Sequence, residues 1–489
     1  MSQHTLAKFV PSESNRWDRA KAAHLLNRAG FGGRPDEVDR VARLGMDVAV
    51  DELLDFRRYP ENSAAPDFTN LRALWEAYAQ LAQARAPQRE RFEANVAALR
   101  ADNQKMQEVR EWWVSRMIQS ARPLQEKMVL FWHGLLVSGK PDVQQAELLF
   151  MQNELFRRNP LGNFKEMILA ISKDPAMLRY LDNNLNRRGR PNENYARELL
   201  ELFTIGIGNY TEQDVKEAAR AFTGWTYRNY EFTFDARQHD DGPKSFLGRA
   251  GNWDGGDIIN IIFEAPATAR WLPRKLFEFF AYLRPDESLV EELAEVFRRS
   301  TFEVAPLVRA ILTSSAFYSP KAMRTQVKSP AHLVIGSARL LGADSAMIPN
   351  LIRAMDLMGQ ALFYPPNVGG WPRGEGWITT STILLRYNFS SLLLTGGMPG
   401  IARRPSTRPA VPAGAQRLLD GAGTAGEVVN RLVTAMAAGA LTDDRKTALI
   451  RALGAQTAQA PFVRDGAATE AKLRSALHLL MSSADYQLS

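Results

Sequence analysis

The sequence predicts a mainly α-helical protein: a multi-helix domain with a small β-hairpin insertion and a C-terminal helical appendage. Three observations predict it. Apolar residues recur three and four positions apart over most of the 489 residues, as on one face of a helix. A period of two is confined to a short stretch near residue 230. Residues 396–414 are proline-rich and aperiodic, which is typical of a linker. We therefore divide the chain into a main domain (1–395), a linker (396–414) and a small C-terminal helical unit (415–489).

Composition excludes some classes of function. The chain has no cysteine, which rules out disulfides, thiolate metal sites and cysteine nucleophiles. The formal net charge is +7, but basic residues stand mostly beside acids, and this pattern does not favour nucleic-acid binding. No apolar run approaches the ~20 residues that span a bilayer. Residues 1–30 have neither a hydrophobic signal core nor a twin-arginine start, which predicts a cytoplasmic protein.

The N-terminal third is predicted to be almost entirely helical. Two helices are expected between residues 17 and 54, followed by a loop to about residue 70. Residues 73–119 form a long charged helical stretch that Pro87 interrupts. Residues 124–137, LQEKMVLFWHGLLV, are nearly all apolar, so this helix must be buried. Further helices are predicted at 143–158 and 163–172.

The hairpin is predicted within residues 226–256. Tyr230, Phe232 and Phe234 alternate with polar residues, as in a short strand or hairpin. A Gly- and Asp-rich loop follows. Helices are predicted again at 267–282, 289–298, 304–313 and 330–341. Residues 363–378 contain too many prolines and glycines for regular structure, and three or four short helices follow the linker.

The stretch 181–225 holds the densest set of informatively placed polar residues. Its helix is predicted to start near Pro191, with Glu193 in the first turn. At 100° per residue, Asn194, Glu198 and Glu201 fall on one polar stripe. Two carboxylates one turn apart suit a divalent metal or acid–base chemistry. The alternative is a solvated acidic face or an Arg–Glu network.

His133 lies inside the apolar helix and needs a partner, because an unpaired buried polar group costs about 1–3 kcal/mol. A metal, a glutamate or a backbone group would each serve, and a satisfied core histidine is the alternative to a functional one. His239 and Asp240 lie on the Gly-rich loop after the hairpin. They suit metal ligation or acid–base work, or else an Asx-turn loop that caps the helix from Asp257.

Several segments closely resemble the bacterial "domain of unknown function 1800" family, from about residue 22 to the C-terminus. They are HLLNRAGFG, RPLQEKMVLFWHG, LDNNLNRRGRPNENYARELLELFTIGIGNYT, HDDGPKSFLG, VKSPAHLVIG and PPNVGGWPRGEGWITT. The resemblance implies no particular reaction. It does imply a companion protein of the "domain of unknown function 1501" family, which is similar to sulfatases and alkaline phosphatases. The alternative location is therefore periplasmic, by co-export with a signal-bearing partner.

Two departures from the family pattern bear on a site. Members often have a second histidine where Leu135 stands in FWHGLL, and a lysine where Gly369 stands in PPNVGGWP. A metal or anion site built on those positions would be weakened or altered here.

Two hypotheses follow. The first is a hydrolase-like enzyme, with or without a divalent metal ion, that acts on an envelope-associated or polymeric substrate. Its catalytic residues would be Glu198, Glu201, His133, His239 and Asp240, and its metal ligands Glu193, Glu198, Glu201 and His133. The second is a non-catalytic helical partner of the companion protein. In that case the helix RPNENYARELLELF is a core hub whose polar groups pair with Arg187, Arg188 or Arg190.

Overall fold

The computed structural model describes residues 5–61, 63–397, 412–437, 441–463 and 466–489. Within these ranges the chain is mainly helical, with two small antiparallel two-stranded sheets, so the predicted fold class is confirmed. No helix in the described ranges is long and apolar enough to cross a membrane. Most of the predicted linker, residues 398–411, lies outside the described residues. The division into domains stays a prediction.

Six helices form the N-terminal part: α1 (Arg19–Ala29), α2 (Pro35–Leu44), α3 (Met46–Leu54), α4 (Thr69–Gln83), α5 (Gln88–Gln119) and α6 (Pro123–Leu135). The prediction of two helices between residues 17 and 54 was wrong by one. Gly45 adopts a φ of +82° between α2 and α3, a conformation that glycine reaches without the steric cost of a side chain.

Helix α6 lies in the core, as its apolar sequence predicts. Only Pro123 and Gly134 among its residues are less than fully buried. Its charged residue Glu126 is completely buried and is held by the Arg116 and Arg157 guanidinium groups, at 2.6 and 2.8 Å. The Trp113 indole donates a further hydrogen bond to Glu126 at 3.1 Å. The triad therefore ties α6 to α5 and to the next long helix.

The middle of the chain contains shorter elements: α7 (Lys140–Val143), α8 (Ala146–Arg158), α9 (Phe164–Ser172), α10 (Pro175–Tyr180), α11 (Asn194–Glu198), a π-helix (Leu199–Thr204) and α12 (Glu212–Ala221). Helix α11 begins three residues after the predicted start at Pro191. Asn186 and Asn192 explain the difference, because the Asn186 side chain accepts a hydrogen bond from the Asn192 amide at 2.9 Å and holds this segment as a loop.

The predicted hairpin is present as β1 (Trp225–Arg228) paired with β2 (Glu231–Phe234), with Trp225 opposite Phe234. A second hairpin, β3 (Lys244–Phe246) paired with β4 (Arg249–Gly251), lies in the region predicted as loop. Its strands have three residues each, too few for a periodic pattern to reveal.

The remaining helices are α13 (Gly255–Glu264), α14 (Pro266–Phe280), α15 (Glu287–Arg299), α16 (Val304–Leu312), α17 (Pro330–Leu341), α18 (Ile348–Leu357), α19 (Thr380–Thr395), α20 (Ala413–Leu418), α21 (Ala425–Met436), α22 (Asp443–Ala452), α23 (Gly466–Met481) and α24 (Ala484–Gln487). Buried apolar residues from nearly all of these elements form one continuous core. The last residues pack into it: Tyr486 is buried, and its hydroxyl lies 2.6 Å from the Ser337 hydroxyl.

Candidate functional site

Glu198 and Glu201 lie where α11 changes into the π-helix. In this turn the Ile205 amide donates to the Leu200 carbonyl, five residues earlier, at 3.1 Å. Leu199, Leu200 and Phe203 are fully buried, whereas both glutamates are half-buried. The apolar face therefore anchors the helix and leaves the two carboxylates at the protein surface. Single π-helical turns are frequently found at functional sites.

We call these two glutamates the carboxylate pair. Its surroundings raise the pKa of Glu198 and of two neighbouring tyrosines. Burial and the neighbouring Glu201 raise the pKa of the Glu198 carboxyl. The Tyr210 hydroxyl donates a hydrogen bond to Oε2 of Glu201 at 3.1 Å. Burial and Glu201 raise the pKa of Tyr210 to about 12. Burial, Asp142 and Glu198 raise that of Tyr180 to about 12 as well. The two tyrosines beside the pair, Tyr180 and Tyr210, therefore keep their hydroxyl protons.

Glu193 is part of a different arrangement. Arg197 binds Glu193 at 3.2 Å and Glu212 at 2.8 Å. Each of the three side chains is more than a third exposed. The network therefore contributes little to stability. This is the Arg–Glu network that the sequence allowed as the alternative.

His133 is buried among aromatic rings. Its ring lies about 5 Å from those of Trp113, Phe363 and Trp371. Its Nε2 atom accepts a hydrogen bond from the Phe363 backbone N–H at 3.1 Å. Burial lowers its pKa to about 3, so the ring is neutral at physiological pH. The geometry is that of a satisfied core histidine.

His239 and Asp240 organise the loop after the hairpin. Asp240 receives two hydrogen bonds from the Arg220 guanidinium, at 2.8 and 3.1 Å, and one from the Gly242 amide at 3.0 Å. These bonds hold the pKa of its carboxyl below the usual value despite partial burial. The His239 Nδ1 atom lies 2.9 Å from the Thr223 carbonyl oxygen and donates to it. Both polar groups have structural partners.

The structure does not bring the proposed metal ligands together. In the described part of the chain, no group of three or more His, Asp and Glu side chains is arranged to hold a metal ion. The carboxylate pair, the Glu193 network, the His133 ring and the His239 loop each have separate partners. The assignment of catalytic and metal residues stays a prediction.

A family model matches residues 24–488, nearly the whole chain, and its description is "Protein of unknown function (DUF1800)". The chain belongs to this family. No curated protein and no solved structure matches it. The description of the family names no activity. Any inference about function must therefore rest on the side chains of this chain.

Four of the segments that carry the DUF1800 resemblance meet around one small cavity of about 100 Å³. Helix α6, the segment 326–332 that leads into helix α17, and the loop after residue 363 supply most of its wall, and Phe31, which follows α1, covers Lys127. Its polar and charged lining residues are Lys127, Glu278, Gln326, Ser329, His332, Gln360, Trp371, Arg373 and Trp377. Reasoning from the sequence missed this site. The signal for it was the lone lysine in the apolar helix LQEKMVLFWHG.

Lys127 is the residue of this cavity whose burial is not offset by its contacts. Its side chain is 5% exposed, and its ammonium lies over the rings of Phe31 and Phe279, at 5.2 and 5.3 Å. It has no ion pair or hydrogen bond with any described residue. Cation–π contacts stabilise a cation by about 0.5–2 kcal/mol, less than the several kcal/mol that burying an ammonium costs. Burial and nearby Arg28 lower its pKa to about 7.

Two other residues of the cavity wall have a buried ring nitrogen without a hydrogen-bonding partner. The Nε2 atom of His332 and the Nε1 atom of Trp371 are both buried and make no hydrogen bond. Buried polar atoms are nearly always paired in folded proteins. Three unpartnered groups around one cavity therefore call for an explanation.

Proposed function

We propose that this protein is a hydrolase-like enzyme in which the carboxylate pair Glu198 and Glu201 performs general acid–base catalysis. The observation that carries the proposal is the raised pKa of Glu198 beside a second carboxylate. A carboxyl whose pKa is raised by burial and by a neighbouring carboxylate is typical of active sites. The substrate class is an envelope-associated or polymeric compound, because the pair lies on an open surface that a long chain can reach.

The two glutamates differ in a way that suits two roles. Glu198, whose raised pKa favours the protonated form, donates its proton to the leaving oxygen of the scissile bond. Glu201, oriented by the Tyr210 hydroxyl, accepts a proton from the attacking water. Water thus adds across the broken bond, and the proton balance is restored when Glu201 passes its proton back to solvent and Glu198 takes one up.

This version of the mechanism uses only groups that lie together. A metal-dependent version has two glutamates of one helix to offer, and any ion would take its other ligands from water or from the substrate. The acid–base mechanism has no such requirement. It is therefore the form of the hydrolase hypothesis that the described side chains support best.

The test is hydrolysis of isolated bacterial envelope polymers and of nitrophenyl ester and glycoside probes. Glu198→Gln and Glu201→Gln should each lower the rate by about 10²–10⁴-fold, the range of general acid–base catalysis. Glu193→Gln is the matched control, one turn away in the Arg197 network, and should leave the rate within about twofold. Equal rates for all three variants would exclude the carboxylate pair as the catalytic group.

The second candidate is the non-catalytic partner of the companion protein. Leu185 and Phe234 favour it, because both apolar side chains are about half exposed, at 54% and 47%, next to strand β1. A companion that docks here would cover them. In a pull-down, Leu185→Ser with Phe234→Ser should abolish capture of the purified companion protein, whereas Val463→Ser, at an exposed valine elsewhere, should not.

A further inference from the structure

We propose that the cavity beside helix α6 binds a small oxyanion, a phosphate or carboxylate group, with Lys127 as its principal cationic ligand. This site is separate from the carboxylate pair and from the hydrolytic function proposed for it. No residue of the pair lines the cavity.

Some polar groups of the cavity wall have no hydrogen-bonding partner among the described residues. Lys127 lacks a hydrogen-bonding or ionic partner among the described residues, and two residues of the cavity wall, His332 and Trp371, each have a buried ring nitrogen without a hydrogen bond. An indole N–H and an ammonium only donate, and an imidazole donates from Nε2 in one of its tautomers. An acceptor with several oxygens would satisfy all three groups at once.

The charges near the cavity point the same way. Burial lowers the pKa of His332, and four nearby cations lower it further: Lys127, Lys328, Arg28 and Arg386. Two of them reach only uncharged oxygens. Lys328 donates to the Tyr486 carbonyl at 2.7 Å, and Arg386 donates to the Gln487 side chain at 2.9 Å and the Lys328 carbonyl at 2.6 Å. A negative charge placed beside Lys127 would therefore be attracted by the whole group.

The one acid and the one arginine that line the cavity, Glu278 and Arg373, lie close to each other. Glu278 lies 3.6 Å from the Arg373 guanidinium, so its carboxylate is directed to Arg373. Lys127 is left as the uncompensated charge. A metal cation is disfavoured in this surrounding, because the nearby charges repel it and the unpaired groups are donors.

The cavity wall also fits a small anionic group in size and polarity. A volume of about 100 Å³ holds a few heavy atoms. Leu130, Phe131 and Phe279 belong to the apolar part of the lining, and an apolar surrounding strengthens the attraction between an anion and its donors. A free inorganic anion and the anionic group of a larger compound share this chemistry, and the experiment separates them.

The experiment is isothermal titration of the full-length protein with inorganic phosphate and acetate, and with phenyl phosphate and benzoate, at constant ionic strength in chloride. We expect saturable binding of at least one of the four. Tighter binding of the aromatic pair would assign the site to a larger compound, and equal binding would assign it to a free anion. If none of the four binds more tightly than chloride, the proposal is wrong.

The variant Lys127→Met should weaken that binding by at least tenfold. Lys173→Met is the matched control, since Lys173 also lies over two rings, those of Trp225 and Phe232, at 5.4 and 5.3 Å, but outside the cavity. If Lys127→Met does not fold, Trp371→Phe removes one donor and keeps the ring; it should weaken binding several-fold. Unchanged affinity in a folded Lys127→Met or Trp371→Phe protein would overturn the assignment.

Discussion

The Nε2 atom of His133 accepts a hydrogen bond from the backbone N–H of Phe363, at 3.1 Å. This bond joins helix α6 to the irregular loop that begins at residue 363. It occupies one of the two ring nitrogens that could bind a metal or accept a proton. His133 therefore acts as a structural connection in the neutral state, and its influence on the protein should appear in stability and in acid sensitivity.

Replacing His133 by glutamine should reduce acid sensitivity. Burial lowers the pKa of folded His133 to about 3, whereas an unfolded histidine titrates near 6.5. Between these values the unfolded state binds more protons, so stability falls as the pH falls. From pH 6.5 to 5 this one group contributes about 2 kcal/mol to the loss. His133→Gln keeps an acceptor for the Phe363 amide and removes the titration.

The measurement is the free energy of unfolding in urea at pH 6.5 and at pH 5. Wild type should lose about 2 kcal/mol more than His133→Gln over that interval. Equal acid sensitivity of wild type and His133→Gln would contradict the prediction.

Replacing Glu198 by glutamine should stabilise the protein. The folded pKa of Glu198 is raised, so the folded state binds more protons than the unfolded state above about pH 4.3. Stability consequently falls as the pH rises through this window, and the variant escapes the loss. We expect a small gain at pH 7, reduced by solvent screening because Glu198 is only half-buried, and none below pH 4, measured by thermal unfolding. Glu193→Gln should have the opposite sign, because it breaks the ion pair with Arg197 at a cost of about 0.2–1 kcal/mol.

Replacing Lys127 by methionine should stabilise the protein in buffer without phosphate or carboxylate. The folded pKa of Lys127 is about 7, and that of an unfolded lysine is near 10.4. Wild type should therefore become more stable as the pH rises from 7 to 10, whereas the variant lacks this slope. At pH 7 we expect a gain of about 1–4 kcal/mol, as for other buried charges exchanged for apolar residues. Chemical unfolding at pH 7 and 9 measures both effects, and a destabilised Lys127→Met would show that the ammonium has a partner.

Replacing Glu126 by glutamine should be strongly destabilising. Burial opposes ionisation of Glu126, but the Arg157 and Arg116 guanidinium groups more than offset it and lower its pKa. The variant leaves two buried guanidinium groups without their common anion, at a cost of about 3–5 kcal/mol. Glu154→Gln is the control, since Glu154 contacts the same Arg157 but is 30% exposed, and it should cost less than about 1 kcal/mol. Urea unfolding compares the two.

The helical fold could be predicted because its signals are local. Pro123 and the apolar run after it define α6, and Pro330 starts α17 at the residue predicted. Thr211 and Asp214 form a capping box at the start of α12, and the spacing of these two residues is a local signal of a helix start. The π-helical turn at 199–204 could not be predicted from the sequence. Local preferences for α- and π-helical turns are similar, and the tertiary packing of Leu199 and Phe203 decides between them.

The site was less predictable, because its partners are distant in the chain. The sequence indicated that His133 needs a partner, but the Phe363 amide is 230 residues away. It also indicated that Glu193 and Glu198 share a helix, but not that Arg197 and Glu212 draw Glu193 into a surface network. The cavity was missed for the same reason, since no local pattern shows that Lys127, His332 and Arg373 meet.

That distance has a consequence for how the chain folds. The wall of the cavity needs Lys127 together with His332 and Trp371, both of which lie more than two hundred residues later in the chain. Contacts of such long range form late, after the cost of closing the intervening chain has been met. During synthesis the cavity cannot exist until the loop that contains Trp371 has emerged. A fluorescent or isotopic reporter placed there would mark completion of the tertiary structure and would stay silent while individual helices form.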